Sequence, residues 1–538
     1  MKKFKILTLA VLVLVVAILA VSFAVILSNN NENLVTQNEV LLYAYDKVGE
    51  AKDTVLHDGN IYISKDFIKD NEVLDIYWDE DYNRISIFKN FEYHKITYNI
   101  YKAEYNNQNY DIENVLLIED NNLFLNVEFL SNNFITNVFW DKESNIVVIS
   151  DKVKEYIITS DTLLYSGTSN KDKESKKLNE NDVVYIYDYV KKQFILCKTT
   201  DGTIGYVDYN HVIPHKTIED ITYTKEKRQD SIIMTWDLLS SKISEFEPFV
   251  IPDMVDIIAP TWYDLKDDDE YFIDISSDEY TEYVQSSGKK VWATFNNSFD
   301  PDLTNLLLNN AYKRSKIVDK IIQITKEKNF DGINIDFENV YMKDRDVYSV
   351  FIKELYCKAK KEGIPMSVAV AVLSNSETWS KFLDREAIGD YSDYVILMAY
   401  DENVSGSAGS VASIPWIEYG VENLLESVFE GKVVMAVPFY TRLWEESTVD
   451  GKLKVKATSL KISTAQRVIS DLGIEFTFDE ETGQNYGEKM VDGVRCRIWN
   501  EDETSLTSRM NIVKKYNLVG KGVWALNFGT EEMWELLR

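Results

Sequence analysis

The stretch Asp331-Gly-Ile-Asn-Ile-Asp-Phe-Glu338 decides the fold of the C-terminal part of this 538-residue chain. In a β-strand, successive side chains point to opposite faces. One face then carries Ile333, Ile335 and Phe337, and the other carries Asn334, Asp336 and Glu338. A buried carboxylate without a partner costs free energy, and this stretch supplies no cation. We therefore predict that the polar face points into a barrel and that its two acids serve a function.

Seven further apolar runs flank this stretch on both sides. The eight runs are Ile232–Trp236, Val255–Pro260, Val291–Phe295, Ile333–Phe337, Met366–Val372, Tyr394–Ala399, Val433–Phe439 and Gly522–Phe528. Nearly continuous apolar strands that alternate with helical patterns indicate a parallel sheet buried on both faces. We predict an α/β domain over residues 221–538, a (β/α)8 TIM barrel. Residues 441–520 are too long for one connecting helix and contain strand-like segments, so we predict an α+β insertion there.

The two acids of the fourth run suggest acid catalysis. Carboxylates held this close cannot both ionise easily, so one is driven toward its protonated form. A protonated carboxylic acid near the C-terminal mouth of a barrel is what cleavage of a glycosidic bond needs as its general acid.

The same stretch resembles the signature of the family-18 glycoside hydrolases, the chitinase-like enzymes, which reads Asp-x-x-Asp-x-Asp-x-Glu. This sequence has Asn334 where the third-last acid is usually Asp. The resemblance extends to Met398-Ala-Tyr400-Asp401, to Pro438-Phe-Tyr440 and to Trp524. The likeness is strongest to the bacterial branch that acts on cell wall and spore cortex. That branch shares a Pro-Thr-Trp segment, here Pro260-Thr-Trp262, and an Asn before the acids.

The resemblance implies a retaining, substrate-assisted mechanism without a cofactor or a metal. Glu338 would protonate the leaving oxygen and later act as base toward water. The substrate's own 2-acetamido group would attack the anomeric carbon, giving an oxazolinium intermediate. Asp336 would hold the acetamido N–H, and the hydroxyl of Tyr400 would hydrogen-bond the acetamido oxygen.

Five more residues are implied to bind substrate. They are Asn334, Trp524, Asp401, Trp262 and Tyr440. Trp524 would form the floor of the sugar pocket, because indole faces suit the C–H surfaces of sugars; the alternative is a core aromatic. Ordinary packing is the alternative for Trp262, and three other tryptophans are likewise candidates for the cleft or for ordinary packing: Trp292, Trp444 and Trp499.

The expected substrate is an N-acetylated polysaccharide, cleaved at N-acetylglucosaminyl linkages in peptidoglycan or spore cortex. Two alternatives stay open. The barrel could be a non-catalytic sugar-binding or wall-assembly protein, although such relatives usually lose the terminal Glu of the signature. It could also be a chitinase that acts on chitin oligomers.

An internal repeat precedes the barrel, within a domain predicted over residues 30–152. Ile61–Phe67 aligns with Leu123–Phe129, and Trp78-Asp79 aligns with Trp140-Asp141, at one offset of 62 residues without a gap. Each copy is predicted to run strand, short helix, strand, strand. The pattern resembles the stalk-like repeat named after the N-terminal domain of copper amine oxidases. It implies no copper here, because the sequence has no histidine cluster.

Residues 153–216 are predicted to be all-β. Their strand signals are Leu163–Tyr165, Val183–Tyr187, Phe194–Cys197 and Gly205–Val207, with a hairpin at Thr200–Thr203. The segment resembles a bacterial SH3-like barrel. Such a module either binds wall peptides or serves as a spacer.

The N-terminus carries an apolar run from Ile6 to Leu27, preceded by Lys2, Lys3 and Lys5. The run spans roughly 30 Å of hydrocarbon as a helix. We predict that residues 1–29 form a cytoplasmic tip and one transmembrane helix, with the catalytic domain extracytoplasmic. A cleaved signal peptide, which would make the protein secreted, is the alternative.

The net charge argues against one class of partner, and the cysteine content argues against a disulfide-stabilised fold. The formal net charge of -30 repels phosphate backbones, so nucleic-acid binding is not expected. The three cysteines, Cys197, Cys357 and Cys496, are too few and too scattered for a disulfide framework.

Overall fold

The computed structural model describes residues 40–44, 47–135, 138–141, 146–149, 154–191, 193–217, 231–267 and 269–538. The chain forms two compact units. One lies within residues 1–76 and 96–222, and the other within residues 77–95 and 223–538. The predicted four-domain limits stay a prediction. The apolar run from Ile6 to Leu27 lies outside the described residues, and no helix within the described ranges is long and apolar enough to cross a membrane.

The internal repeat is confirmed element by element. The first copy consists of strand Asn60–Ser64, helix Lys65–Asp70 and strands Asp75–Asp79 and Arg84–Lys89; the second consists of strand Asn122–Asn126, helix Val127–Asn133 and strands Val138–Asp141 and Ile146–Ile149. Both helices begin with a side-chain N-cap of the same kind. The side chains of Ser64 and Asn126 accept the N–H of the third helical residue at 3.1 and 3.0 Å.

The other strands of this region are short. They are Leu41–Ala44, Lys47–Val48, Thr54–His57, Glu92–Tyr98, Lys102–Tyr105, Gln108–Asp111 and Leu116–Glu119. Leu41–Ala44 runs parallel to the last strand of the second copy, and Asn122–Asn126 runs antiparallel to Asn60–Ser64.

The segment after the repeat is all-β, as predicted. Its seven strands form one sheet and are Lys154–Ile158, Thr162–Tyr165, Glu174–Leu178, Val183–Lys191, Phe194–Thr199, Ile204–Asp208 and Val212–Thr217. The hairpin predicted at Thr200–Thr203 joins the fifth and sixth of these strands. Cys197 lies in the core of this sheet as a free thiol. The likeness to an SH3 module stays a prediction.

The second unit contains the eight parallel strands predicted from the apolar runs. They are β1 (Ile232–Asp237), β2 (Ile257–Leu265), β3 (Lys290–Asn296), β4 (Gly332–Asp336), β5 (Met366–Ala371), β6 (Tyr394–Met398), β7 (Val433–Pro438) and β8 (Gly520–Trp524). Each strand pairs in parallel with its neighbours, in the order β1-β8-β7-β6-β5-β4-β3-β2, and a pairing between β1 and β2 closes the barrel. The (β/α)8 fold is therefore confirmed.

Helices cover the outside of the barrel. They are Asp278–Ser286, Pro301–Leu308, Ala311–Glu327, Arg345–Lys361, Arg385–Asp390, Ile414–Leu425, Glu503–Lys515 and Glu531–Glu535. A short strand, Phe272–Asp274, adds antiparallel to β2. The predicted α+β insertion is confirmed between β7 and β8. It contains helix Ile462–Leu472 and a five-stranded sheet made of Tyr440–Val449, Lys452–Lys461, Phe476–Asp479, Gln484–Val491 and Val494–Asn500.

The barrel strands are apolar on both faces because each face packs into its own apolar core. Ile333, Ile335 and Phe337 pack against the outer helices, as their periodicity predicts. Inside the barrel a separate core includes Trp292 of β3. A Cβ on Gly332 would lie 2.6 Å from the Trp292 indole. Glycine at this position therefore admits the large ring beside β4.

The strands Asp75–Asp79 and Arg84–Lys89 supply two ionic residues to the barrel unit. The Asp79 carboxylate accepts from Arg314 at 2.7 Å, and Arg84 donates to Glu354 at 2.7 Å. All four side chains are at most 3% exposed. Because buried charges are tolerated only when they are paired and hydrogen-bonded, this network joins the segment 77–95 tightly to two barrel helices.

Candidate active site

The predicted catalytic residues meet at the carboxyl ends of the barrel strands. Asp336 is the last residue of β4, and Trp524 is the last residue of β8. Glu338, Tyr400 and Tyr440 each lie two residues beyond the end of β4, β6 and β7. This end of a (β/α)8 barrel is where active sites are built.

Asp336 lies buried inside the mouth of the barrel. Only 7% of the residue is exposed, and its Oδ1 atom has no hydrogen-bond partner within the described structure. Burial raises the pKa of this carboxyl group well above its ordinary value, because the low-dielectric interior disfavours the charged form. A buried acceptor without a partner is expensive in a folded protein unless a ligand uses it.

Glu338 is the more strongly perturbed acid. Burial raises its pKa first, and the negative charges of Asp336 and Asp401 raise it further. Its backbone is held by the side chain of Asn297. The N–H of Glu338 donates to Asn297 Oδ1 at 2.9 Å, and Asn297 Nδ2 donates to the Glu338 carbonyl at 2.7 Å. The side chain is thus kept protonated near neutral pH on a fixed piece of backbone, as a general acid requires.

Tyr400 supplies a second polar atom without a partner. Its hydroxyl is buried and, among the described residues, makes no hydrogen bond. Burial raises its pKa well above the usual value, and the nearby charge of Asp336 adds to the effect, so the hydroxyl keeps its proton. The Tyr400 ring lies 6.3 Å from that of Trp524, and Trp524 lies 5.7 Å from Trp236. These three rings form an aromatic wall opposite β4.

Asp401 is anchored by the insertion strand that follows β7, Tyr440–Val449. The hydroxyl of Tyr440 donates to the Asp401 carboxylate, and Arg442 donates to the same oxygen at 2.7 Å. Arg442 also donates to the carbonyl of Asn403 at 2.9 Å. Asp401 is therefore fixed at the rim of the mouth, where its charge acts on Glu338.

Two residues implied to bind substrate do not reach the mouth. Asn334 is completely buried, and its amide is used by neighbouring strands. It donates to Thr294 Oγ1 at 3.1 Å and accepts from Ser367 Oγ at 2.9 Å. Trp262 is completely buried between the sheet and the helices, 5.2 Å from the ring of Tyr280. These side chains are used in the packing of the barrel, so the structure gives no support to the two implied binding roles, which stay predictions.

The other candidate tryptophans also serve packing. Trp292 lies inside the barrel against Gly332, and Trp444 donates to the carbonyl of Gly409 at 2.9 Å. The ring of Trp499 packs against that of Tyr486 in the insertion, 4.8 Å away and tilted by 46°.

Sequence reasoning missed Asn297, Trp236 and Arg442. Each of these three residues has a position in the sequence that could have pointed to the site. Asn297 follows β3, the neighbour of β4, and Trp236 shares the inward-facing side of β1 with Met234. Arg442 lies two residues after Tyr440 on the same strand. No group of three or more His, Cys, Asp or Glu among the described residues is arranged to hold a metal ion.

A closed parallel barrel with two buried acids at its mouth defines a (β/α)8 enzyme suited to glycosidic cleavage. The chain belongs to the glycosyl hydrolases family 18, whose model matches residues 163–529. It is therefore a glycoside hydrolase. Residues 44–149 match the copper amine oxidase N-terminal domain.

Individual relatives agree with this assignment. The "Uncharacterized glycosylase YvbX" of Bacillus subtilis is 29% identical over 269 residues, which cover 48% of this chain and 76% of that protein. The "Cortical fragment-lytic enzyme" of the same organism is 26% identical over 248 residues, which cover 45% of this chain but only 57% of that protein. The spore cortex-lytic enzyme SleL of Bacillus megaterium has the same fold, with a TM-score of 0.51, 18% identity, and coverage of 62% of this chain and 77% of that one.

Proposed function

We propose that this glycoside hydrolase cleaves N-acetylglucosaminyl linkages with net retention, using the substrate's own acetamido group as nucleophile. One observation carries the proposal. Among the residues that the structure describes, Asp336 Oδ1 and the Tyr400 hydroxyl are two buried polar atoms without hydrogen-bond partners at the mouth of one barrel. An acetamido group offers one N–H donor and one carbonyl acceptor, which these two atoms complement.

The proposed division of labour follows from the perturbed acids. Glu338, protonated because its pKa is raised, gives its proton to the leaving oxygen. The acetamido oxygen attacks the anomeric carbon as that bond breaks, and an oxazolinium ion forms. Asp336 accepts the acetamido N–H and offsets the developing positive charge, while Tyr400 donates to the acetamido oxygen. Glu338 then takes a proton from a water molecule whose oxygen attacks the anomeric carbon. This attack breaks the bond to the acetamido oxygen and opens the oxazolinium ring, so the anomeric configuration is retained overall.

The substrate we propose is peptidoglycan or spore cortex. The names of relatives that act on cortical fragments support this choice. So does the arrangement of the chain, in which an apolar N-terminal run and two small modules precede the barrel. We propose that Ile6 to Leu27 anchors the protein in the cell membrane with the barrel outside. Expression of the full chain followed by membrane fractionation and protease protection tests the anchor.

The activity has a direct test. The protein is incubated with purified cortex muropeptides, and new reducing ends and product masses are measured for the wild type and for Glu338→Gln. We expect products that end at N-acetylglucosamine from the wild type and a loss of about 10²–10⁴-fold in the variant. Equal activity of the two proteins would contradict the role of Glu338.

Two rival functions give different results. Binding of oligosaccharide without any turnover would favour a sugar-binding or wall-assembly protein. Faster turnover of chitin oligomers than of cortex muropeptides would favour a chitinase, a substrate class to which "Di-N-acetylchitobiase" of Homo sapiens also points by its name.

A further inference from the structure

A polar cavity lies in the outer helical layer of the barrel, beside the segments that leave β4 and β5. Its volume is about 320 Å³, at the lower end of the volumes that small ligands occupy in proteins. Two of its lining residues are Met342, four positions after Glu338, and Leu373, two positions after the end of β5. The cavity therefore borders the same end of the barrel as the proposed active site.

Three basic side chains line this cavity, and they are Arg345, Lys381 and Arg385. Arg385 is held by the carbonyls of Ala371 at 2.9 Å and Ser380 at 3.3 Å. Burial lowers the pKa of the Arg385 guanidinium, and the positive charge of Arg345 lowers it further. The ammonium group of Lys381 has no hydrogen-bond or ion-pair partner among the described residues. An anion bound among these three cations would relieve their repulsion and use their free donors.

Three acidic side chains also line the cavity. Asp384 pairs with Arg345 at 3.4 Å and caps a helix by accepting the N–H of Ala387 at 3.2 Å. Glu386 and Glu426 are exposed, and in the described part of the chain their carboxylates have no hydrogen-bond or ion-pair partner. The cavity thus presents unpaired charges of both signs, which suits a ligand that carries both.

We propose that this cavity binds the stem peptide of peptidoglycan through a free carboxylate and a free amino group of that peptide. The inference rests on the proposed function, in which the barrel mouth holds the sugar chain. A stem peptide that contains a diamino acid carries both groups, whereas chitin carries neither. Four extended residues span at most roughly 14 Å, which exceeds the roughly 10–12 Å width of one covering helix. A stem peptide is therefore long enough to pass from the mouth to the outer layer.

The cavity would act on substrate binding and not on the chemical step. Its lining side chains lie in the outer layer, away from the groups that hold the acetamido sugar, so they make the same contacts before and during the reaction. Binding that is equal in both states lowers KM and leaves kcat unchanged. The cavity would therefore favour glycan strands that still carry their peptides.

Direct titration tests the binding. The probe is an alanyl-glutamyl-diaminopimelyl-alanine tetrapeptide with an acetylated N-terminus, titrated into the full chain by calorimetry. We expect Lys381→Glu to weaken its binding about tenfold, because the variant puts a negative charge where the carboxylate would bind. Acetylation of the diaminopimelyl amino group should also weaken binding to the wild type, and Glu426→Gln should reduce that difference.

Activity on two substrates tests the same cavity. One is purified glycan strands with their stem peptides, and the other is the same strands after an amidase has removed the peptides. We expect Lys381→Glu to raise KM about tenfold for the first substrate only, with kcat unchanged. The matched control Lys316→Glu makes the same charge change at an exposed lysine of the helix Ala311–Glu327 and should alter neither KM. Thermal denaturation of each variant reports whether it is folded.

The outcomes are distinct. A wild type that does not bind the tetrapeptide, or a Lys381→Glu variant that binds it as the wild type does, would overturn the proposed peptide site. The same holds if KM for the two substrates changes equally. In each case, cleavage of the peptide-free strands by the wild type still supports the proposed function. A wild type that cleaves neither substrate would overturn the proposed function and this inference with it.

Discussion

The side chain of Asn297 holds both backbone polar groups of Glu338, the N–H at 2.9 Å and the carbonyl at 2.7 Å. Asn297 is itself completely buried and also donates to Thr304 Oγ1 at 2.9 Å. The backbone of Glu338 is therefore held by the side-chain amide of a residue in the loop after β3. Without this amide, the loop that carries Glu338 would have to find other partners for two buried backbone groups.

We expect Asn297→Ala to lower kcat by about 10–100-fold, because small displacements of a positioned catalytic group are costly. The loss of three hydrogen bonds, two to Glu338 and one to Thr304, should also destabilise the fold by roughly 1–3 kcal/mol. The matched control is Asn305→Ala, which removes a comparable amide that donates to Asp344 at 2.8 Å. Steady-state kinetics and thermal denaturation of both variants test the prediction. A comparable fall of kcat in the control would show that general loosening, and not the clamp on Glu338, is responsible.

Removing the charge of Asp401 should change the pH profile of the enzyme. The Asp401 carboxylate raises the pKa of Glu338, so Asp401→Asn lowers that pKa. Because the reaction needs protonated Glu338, the alkaline limb of kcat/KM against pH should move to lower pH. Rates on an N-acetylglucosamine oligosaccharide, measured from acidic to alkaline pH, locate the limb. A limb that stays in place or moves upward would contradict the electrostatic effect.

The buried acids should make the wild type less stable than its neutral variant at high pH. Folding raises the pKa of Asp336, so its contribution to stability is full below the ordinary Asp range and is lost as pH rises through the raised value. Asp336→Asn removes this dependence. We expect the variant to gain roughly 1–2 kcal/mol near neutral pH and little at acidic pH, while activity falls. Denaturant unfolding at several pH values is the measurement, and a difference that shrinks as pH rises would refute it.

The buried network of the barrel unit should be essential for its folding. Arg84 donates to Glu354 at 2.7 Å and to the carbonyl of Ala311 at 2.6 Å. Arg84→Met leaves the Glu354 carboxylate with Arg314 and the hydroxyl of Tyr93 as partners, at 3.3 and 3.4 Å, and we expect a loss of about 3–5 kcal/mol. The control Lys320→Met breaks an exposed pair with Glu270 and should cost at most about 1 kcal/mol. Equal, small losses in chemical denaturation would show that the network contributes little.

A shortened chain tests the same network in another way. A protein that begins at residue 223 lacks Asp79 and Arg84, and so leaves Arg314 and Glu354 without two of their partners. We expect it to unfold at a lower denaturant concentration than the full chain. An unchanged midpoint for the barrel would contradict the view that segment 77–95 belongs to its core.

Local patterns in the sequence determined much of this protein. The period of two along Asp331–Glu338 assigned the outer and inner faces of β4, because a strand's alternation depends only on neighbouring residues. The constant offset between Ile61 and Leu123 predicted every element of the repeat, because two copies of one local pattern form the same strands and helix. The motif that ends in Glu338 identified the family. Eight apolar runs predicted a barrel, because a strand that is buried on both faces carries apolar residues on both faces.

Only the tertiary structure decided which side chains share a site. Asn334 and Trp262 satisfied the family pattern, yet one bridges β3 and β5 and the other fills the layer between sheet and helices. Asn297 carries no motif but clamps Glu338, and Arg84 joins a helix about 270 positions away in sequence. Such pairings depend on how the strands close and how the helices pack. No local period encodes them, because residues far apart in sequence become neighbours only when the whole core is assembled.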